Sequence, residues 1–320
     1  MSSFQDLTLS DDTIDFQELA NQPTDIERLV SPDSFRQDTI DYLMGTGQTY
    51  GATLPWGETH DNIRFRPGEV SLWMGMNGHG KSLLTSQVFL DFIHQGQKVC
   101  IASFEMKPKA TLARMARQAA MASSPTEAFV HGFIDHAIGK LYLYDKQGNV
   151  DAQNLLGIIR YAVRKHGIQQ FVIDSLMKCV KGEDDYNGQK DFVNSLCTLA
   201  QDENLHIHLV HHSRKLADES QLPGKMDAKG SGAIVDQVDQ SFVVWRNKKK
   251  EEAVRAGNKD YDLTKPDAIL RCDKNRHGEW EGSIGLYFSQ GPLHYARHQG
   301  RTSNGYDYRP FIKSEREVAI

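Results

Sequence analysis

The chain has 320 residues, 39% of them hydrophobic, and a formal charge of −5. That length supports one large α/β core with appendages, because single cores stop growing near ~250–300 residues. The acidic balance excludes a protein coated in basic surface, although a local basic lining needs no net positive charge. The opening lacks a basic start followed by an apolar core, and no later run approaches the roughly 18 apolar residues of a membrane span. The four cysteines, Cys100, Cys179, Cys197 and Cys272, include no C-x-x-C pair. Neither a zinc site nor a disulfide framework is expected, and a reducing cytoplasm without membrane contact fits.

In chain order, residues 1–60 read as an N-terminal arm broken by Pro23 and Pro32. Within it, Phe35, Ile40, Leu43 and Met44 form one apolar stripe at helical spacing, which needs a partner surface such as a neighbouring subunit. From residue 61 to 296 short apolar runs alternate with amphipathic stretches. Val70–Met74 leads into a helix from Lys81, Val99–Phe104 into one from Lys109, and Leu141–Tyr144 into one across Asn154–His166. Phe171–Ile173, Ile207–Val210, Phe242–Trp245, Ala268–Cys272 and Ser283–Phe288 follow. Strands covered by helices on both faces lose their period-two alternation, so this rhythm predicts an α/β domain with a mostly parallel central sheet. The last runs lack long helices between them and are expected as antiparallel strands at an edge. Residues 297–320 read as a polar, loosely ordered tail.

Gly75-Met-Asn77-Gly78-His79-Gly80-Lys81-Ser82 fits G-x-x-x-x-G-K-[ST], directly after a strand-like run and before the helix opening at Leu83. That context makes it a phosphate-binding loop for ATP or another NTP. The backbone of Gly75, Asn77, Gly78, His79, Gly80 and Leu83 is expected to cradle the phosphates, Lys81 to reach the β and γ groups, and Ser82 to ligate Mg2+. Asp174, ending Phe171-Val-Ile, supplies the carboxylate that the metal also needs. Taken alone, an acidic residue at a strand end more often caps a turn. Glu105, at the next strand end after the loop's helix, is placed to orient the attacking water.

Several segments together resemble the DnaB-type replicative helicases, and most of all the helicase half of phage helicase-primases. They are the phosphate loop, Ser103-Phe-Glu105-Met, Asp174, His211-His212-Ser213-Arg214, Asp227-Ala-Lys-Gly230-Ser231-Gly232-Ala233-Ile234 and Lys274-Asn-Arg276-His-Gly278. The resemblance implies a RecA-like P-loop NTPase core and a ring, expected to be hexameric, that moves on single-stranded DNA during replication. It implies that His212 is the polar sensor of the γ phosphate, with His211 as a competing candidate and a packing role as the plain alternative.

By the same resemblance the long polar stretch Arg214–Lys229 grips the DNA backbone, through Arg214, Lys215, Lys225, Lys229 and Gly230. Its own acids, Asp218, Glu219 and Asp227, leave charge patterning neutral on that point. Arg276, with Lys274, resembles the family's trans-acting pair, in which one subunit's arginine touches the phosphate bound by the next. Residues two apart on a strand share a face, which suits the pair. Arg246 and the aromatic Tyr287 or Phe288 are candidates to flank the base. No zinc-binding or primase segment precedes Arg64, so a separate primase and polymerase are expected. A recombinase of the RecA or RadA type, forming open filaments, is the alternative reading.

Overall fold

The computed structural model describes residues 8–9, 31–44, 51–180, 182, 185–212, 232–258, 260–300, 305–306 and 308. Its strands are β1 (Thr8–Leu9), β2 (Val70–Met74), β3 (Val99–Ser103), β4 (Leu141–Tyr144), β5 (Gln170–Asp174), β6 (His206–Val210), β7 (Gln240–Arg246), β8 (Ala268–Asn275), β9 (Gly282–Ser289) and β10 (His294–Ala296). The helices are α1 (Arg36–Met44), α2 (Lys81–His94), α3 (Pro108–Ala120), α4 (Glu127–Ala137), α5 (Ala152–His166), α6 (Tyr186–Glu203), α7 (Gly232–Gln237) and α8 (Lys248–Ala256).

Among the described residues the strands form one sheet in the order β1-β4-β3-β5-β6-β2-β7-β8-β9-β10. It is parallel from β1 to β7 and antiparallel from β7 to β10. The expected α/β architecture with antiparallel edge strands is therefore present. Each central strand divides its side chains between two apolar layers. Val70, Leu72 and Met74 join Phe171, Ile173, Ile207 and Leu209 under α5, α6 and α7. Trp73 joins Val172, Val210, Phe242 and Val244 on the other face, under α2, α3 and α4. Both faces being covered explains why the strands read as unbroken apolar runs.

Two histidines lie inside this core without charge. His206 bonds Ser71 Oγ and Arg66 O, each at 2.7 Å. His208 accepts from Trp73 Nε1 at 3.2 Å and donates through Nε2 to Gln170 Oε1 at 2.9 Å. Burial holds both far below the ordinary pKa, so the neutral ring is the packed form.

Two boundaries differ from expectation. Residues 51–60, assigned to the arm, lie on the body: Ala52, Leu54 and Trp56 are buried in the layer that holds Trp73, and Trp56 Nε1 donates to Tyr295 O at 3.1 Å. The tail is not loose throughout. Tyr306 stacks on His94 at 3.4 Å and donates to Asp91 at 2.7 Å, and Tyr308 is buried against α4. Two tyrosines in a polar tail carry enough ring area to anchor it. The stripe on and before α1 stands in solvent, with Phe35, Ile40, Leu43 and Met44 at 46–70% exposure. No helix of the described residues is long and apolar enough to cross a membrane.

Candidate active site at the ends of the parallel strands

Strand register assembles the site. Trp73 of β2 and Asp174 of β5 both pair with Val210 of β6, and Asp174 pairs with Ser103 of β3. The carboxyl ends of four strands therefore lie in one row, the usual ligand edge of an open parallel sheet. From that row come the glycine loop after β2, Glu105 after β3, Asp174 at the end of β5, and His211 and His212 after β6.

The loop folds as its glycines require. Gly75 has φ 157°, and a Cβ there would stand 2.4 Å from Val244 O, so only glycine lets the loop run against β7. Gly80 has φ 83°, and a Cβ would meet the Tyr295 hydroxyl at 2.7 Å. Asn77 and Gly78 are exposed at the crest, while the His79 ring turns inward and its Nδ1 accepts from the Arg246 backbone N–H at 3.1 Å. α2 begins at Lys81 and carries Ser82 and the half-buried Leu83 in its first turn, so unpaired N–H groups and the positive helix end face the loop.

Lys81 is buried and donates to Gly75 O at 2.8 Å and Met76 O at 3.1 Å. Burial pulls its pKa down to about 8. Ser82 Oγ donates to Asp174 Oδ2 at 2.8 Å. Burial raises the Asp174 pKa, opposed first by that hydroxyl. The pair tests well as a magnesium site. A hydroxyl and a carboxylate are hard oxygen donors already at contact distance, and Mg2+ takes few protein ligands alongside phosphate oxygens and water. The described residues hold no cluster of three His, Cys, Asp or Glu that would suit a closed metal cage.

Phe104 N donates to Asp174 O at 2.8 Å, which carries the chain beyond β3 across the end of β5. Glu105 then stands half-exposed, its Oε1 3.8 Å from His212 Nε2 and 3.5 Å from Ser175 Oγ. The two histidine candidates part here. His211 is fully buried and its backbone N–H bonds Trp73 O, whereas His212 is partly exposed and faces Glu105.

Arg246, at the end of β7, reaches Gly78 O through Nη1 at 3.4 Å and pairs with Glu251 on α8. Phe288 packs on Tyr295, whose hydroxyl abuts Gly80. Tyr287 instead points to Thr264 O and lies under Lys250. Of the two aromatic candidates, Phe288 is the one grouped with the loop.

Lys274 and Arg276 are elsewhere. Gln240 pairs with Asn275 and Arg246 with Ala268, so Arg276 lies at the opposite end of β7 from Arg246 and the loop, about 20 Å away at strand rise. Both side chains turn to the same place, the last turn of α7, as the two-residue spacing predicts. Lys274 Nζ donates to Val235 O at 2.9 Å and Asp236 O at 2.8 Å, and Arg276 Nη2 to Asp236 O at 3.0 Å. The expected DNA residues Arg214, Lys215, Lys225, Lys229 and Gly230 fall outside the described residues.

Sequence reasoning missed Arg114 and Tyr295. Arg114 of α3 donates to Ser82 O at 2.9 Å and Met106 Sδ at 3.1 Å, tying the metal-site helix to the segment that carries Glu105. An arginine within an amphipathic helix gives no local signal of that role. Tyr295 sits in a short edge strand remote in sequence from the loop it touches.

A family model described as an AAA domain matches residues 62–218. A solved helicase ATPase domain superposes with a TM-score of 0.69 at 16% identity, covering 83% of this chain and 98% of that one. A DnaB-like replicative helicase, solved in a study of its interactions with primase, gives 0.63 at 16% identity, covering 83% of this chain and 67% of that one. Phosphate loop, metal-site pair, strand-end glutamate and sheet order agree with these matches, and the chain has the RecA-like fold of DnaB-type helicase ATPase domains.

Proposed function

We propose that the chain is the motor of an NTP-driven DNA helicase, working as a ring, expected to be hexameric, that translocates on single-stranded DNA during replication in the cytoplasm. One observation carries this reading: Ser82–Asp174 and Glu105–His212 stand together at one sheet edge, while Lys274 and Arg276 lie at the far end of the same sheet. A site so divided becomes whole where the far end of one copy meets the loop of the next.

Each half has a chemical task. The loop backbone and Lys81 hold the β and γ phosphates, with Arg246 and Phe288 beside the base. Ser82 and Asp174 hold Mg2+, which when bound draws charge from the phosphate oxygens. Glu105 takes a proton from the attacking water, and His212, at 3.8 Å from Glu105, reports cleavage of the γ phosphate to the segment that follows β6. Arg276, with Lys274, then neutralises charge on the phosphate of the adjacent copy, a contribution of about 10³–10⁵ in rate in related chemistry. Arg214, Lys215, Lys225, Lys229 and Gly230, the next residues along the chain from His212, contact the DNA backbone without reading sequence.

Subunit packing has a candidate seat. The exposed stripe of Phe35, Ile40, Leu43 and Met44 matches an apolar groove of about 420 Å³ between α3 and α4, lined by Leu112, Ala116, Val130, Phe133 and Ile134. The study of the DnaB-like relative with primase supports a separate primase partner here as well. Unwinding of a forked duplex, followed by release of a labelled strand, tests the proposal. NTP-dependent release that disappears in Lys81→Ala is expected; unwinding that survives the substitution contradicts it.

A further inference from the structure

Asp239 is the residue between α7 and β7, and it is 5% exposed. Its two oxygens are divided between the two ends of the proposed machinery. Oδ2 accepts from the backbone N–H of Val70, the first residue of the strand that ends in the phosphate loop, at 2.9 Å. Oδ1 accepts from Arg276 Nη1 at 2.8 Å, with His277 Nε2 at 3.7 Å. Arg276 N donates in turn to Asp239 O at 2.9 Å. Around this ion pair, the carbonyls of Val235, Asp236 and Gln237 receive Lys274 Nζ and Arg276 Nη2. Carbonyls at a helix C-terminus lack intrahelical donors and carry partial negative charge, so a cationic pair there is favoured twice over.

We propose that Asp239 and the last turn of α7 form a seat for Lys274 and Arg276, which makes Asp239 a positioning residue for the arginine that acts on the neighbouring subunit. The inference rests on the trans-acting reading of Arg276 given above. A free arginine side chain loses up to ~2 kcal/mol of rotamer freedom when it is fixed. An arginine already held by a buried carboxylate and a helix end loses that freedom before the neighbour arrives, so the docked geometry is pre-organised. The seat also has a mechanical consequence. α7 begins at Gly232, two residues after Gly230, the last of the proposed DNA contacts, so a displacement of that segment by DNA is carried through one short helix to Arg276.

Asp239→Asn tests this with little risk to the fold, since its amide oxygen still accepts from Val70 while the charge facing Arg276 is lost. The readout is single-turnover NTP cleavage with single-stranded DNA present, which does not depend on cycling around a ring. Asp239→Asn alone should cleave at least about tenfold more slowly than the unaltered chain, the scale typical of orienting partners. Mixing it with Lys81→Ala chains, which bind no phosphate properly but carry an intact seat, should restore a several-fold higher rate per Asp239→Asn chain. Arg276→Ala mixed with Lys81→Ala is the companion measurement. If Arg276→Ala is rescued and Asp239→Asn is not, Asp239 acts within its own subunit and the inference fails while the trans-acting reading stands. Unaltered cleavage by Asp239→Asn alone would also overturn it. If Arg276→Ala itself is not rescued, the trans-acting reading falls and takes the seat with it.

Discussion

The two ends of the parallel sheet differ in what they finish. At the carboxyl end, the phosphate loop, Ser82, Asp174, Glu105 and His212 converge from four strand ends within one chain. At the amino end, Lys274 and Arg276 are held by Asp239 and α7, with every contact spent on their own subunit. The first end has its reacting groups aimed at a place where phosphate can sit; the second has cations held in place about 20 Å away. A sheet that puts catalytic groups at one end and a cationic pair at the other couples neighbouring copies without a separate regulatory domain.

The largest way to break this contrast is at the cationic end. Arg276→Ala should lower the steady-state turnover number about 10³-fold or more, near 4 kcal/mol of barrier, with little change in nucleotide affinity measured by fluorescent analogue titration. A loss of affinity with turnover intact would move Arg276 out of the chemistry. Next comes the loop end, where Gly80→Ala places a methyl group against the Tyr295 hydroxyl at positive φ. Nucleotide affinity should fall by about tenfold or more through strain of ~1–3 kcal/mol. Gly80→Ala combined with Tyr295→Phe, which removes the atom met at 2.7 Å, should recover part of it.

The smallest expected effect sharpens the comparison, because each end buries a carboxylate. Asp174 has the metal site to serve. Glu69, 6% exposed beside Arg66 and near Asp239, has no comparable task, and burial raises its pKa to about 7. Its folded pKa lies above the ordinary value of 4.5, so the folded state holds the proton more tightly. Its contribution to stability therefore declines as pH rises from about 4.5 to about 7 and stays low above that. Glu69→Gln should raise stability at pH 8 by roughly 1–3 kcal/mol in denaturant titrations, with the gain vanishing near pH 4.5. An equal gain at both pH values would contradict the burial account.

How much of this was legible in the sequence depended on whether the information was local. The phosphate loop is a contiguous pattern flanked by a strand and a helix, and Asp174 and Glu105 end apolar runs, so their positions along the chain placed them at the correct strand ends. The choice between His211 and His212 was not legible, because it turns on which side chain faces away from β2 after β6. Asp239 and Arg114 carry no pattern at all; their partners lie in strands and turns distant in sequence. The boundaries at residue 60 and residue 297 misled for a related reason. Polar composition hid Trp56, Tyr306 and Tyr308, whose rings are enough to fasten those segments to the body.

The central claim is that no chain completes its own site. It is tested most directly by measuring NTP hydrolysis across a wide range of protein concentration while following assembly by light scattering in the same samples. Turnover per chain should rise steeply as copies associate and level off once assembly is complete. Turnover per chain that stays constant down to fully dissociated protein would contradict the claim.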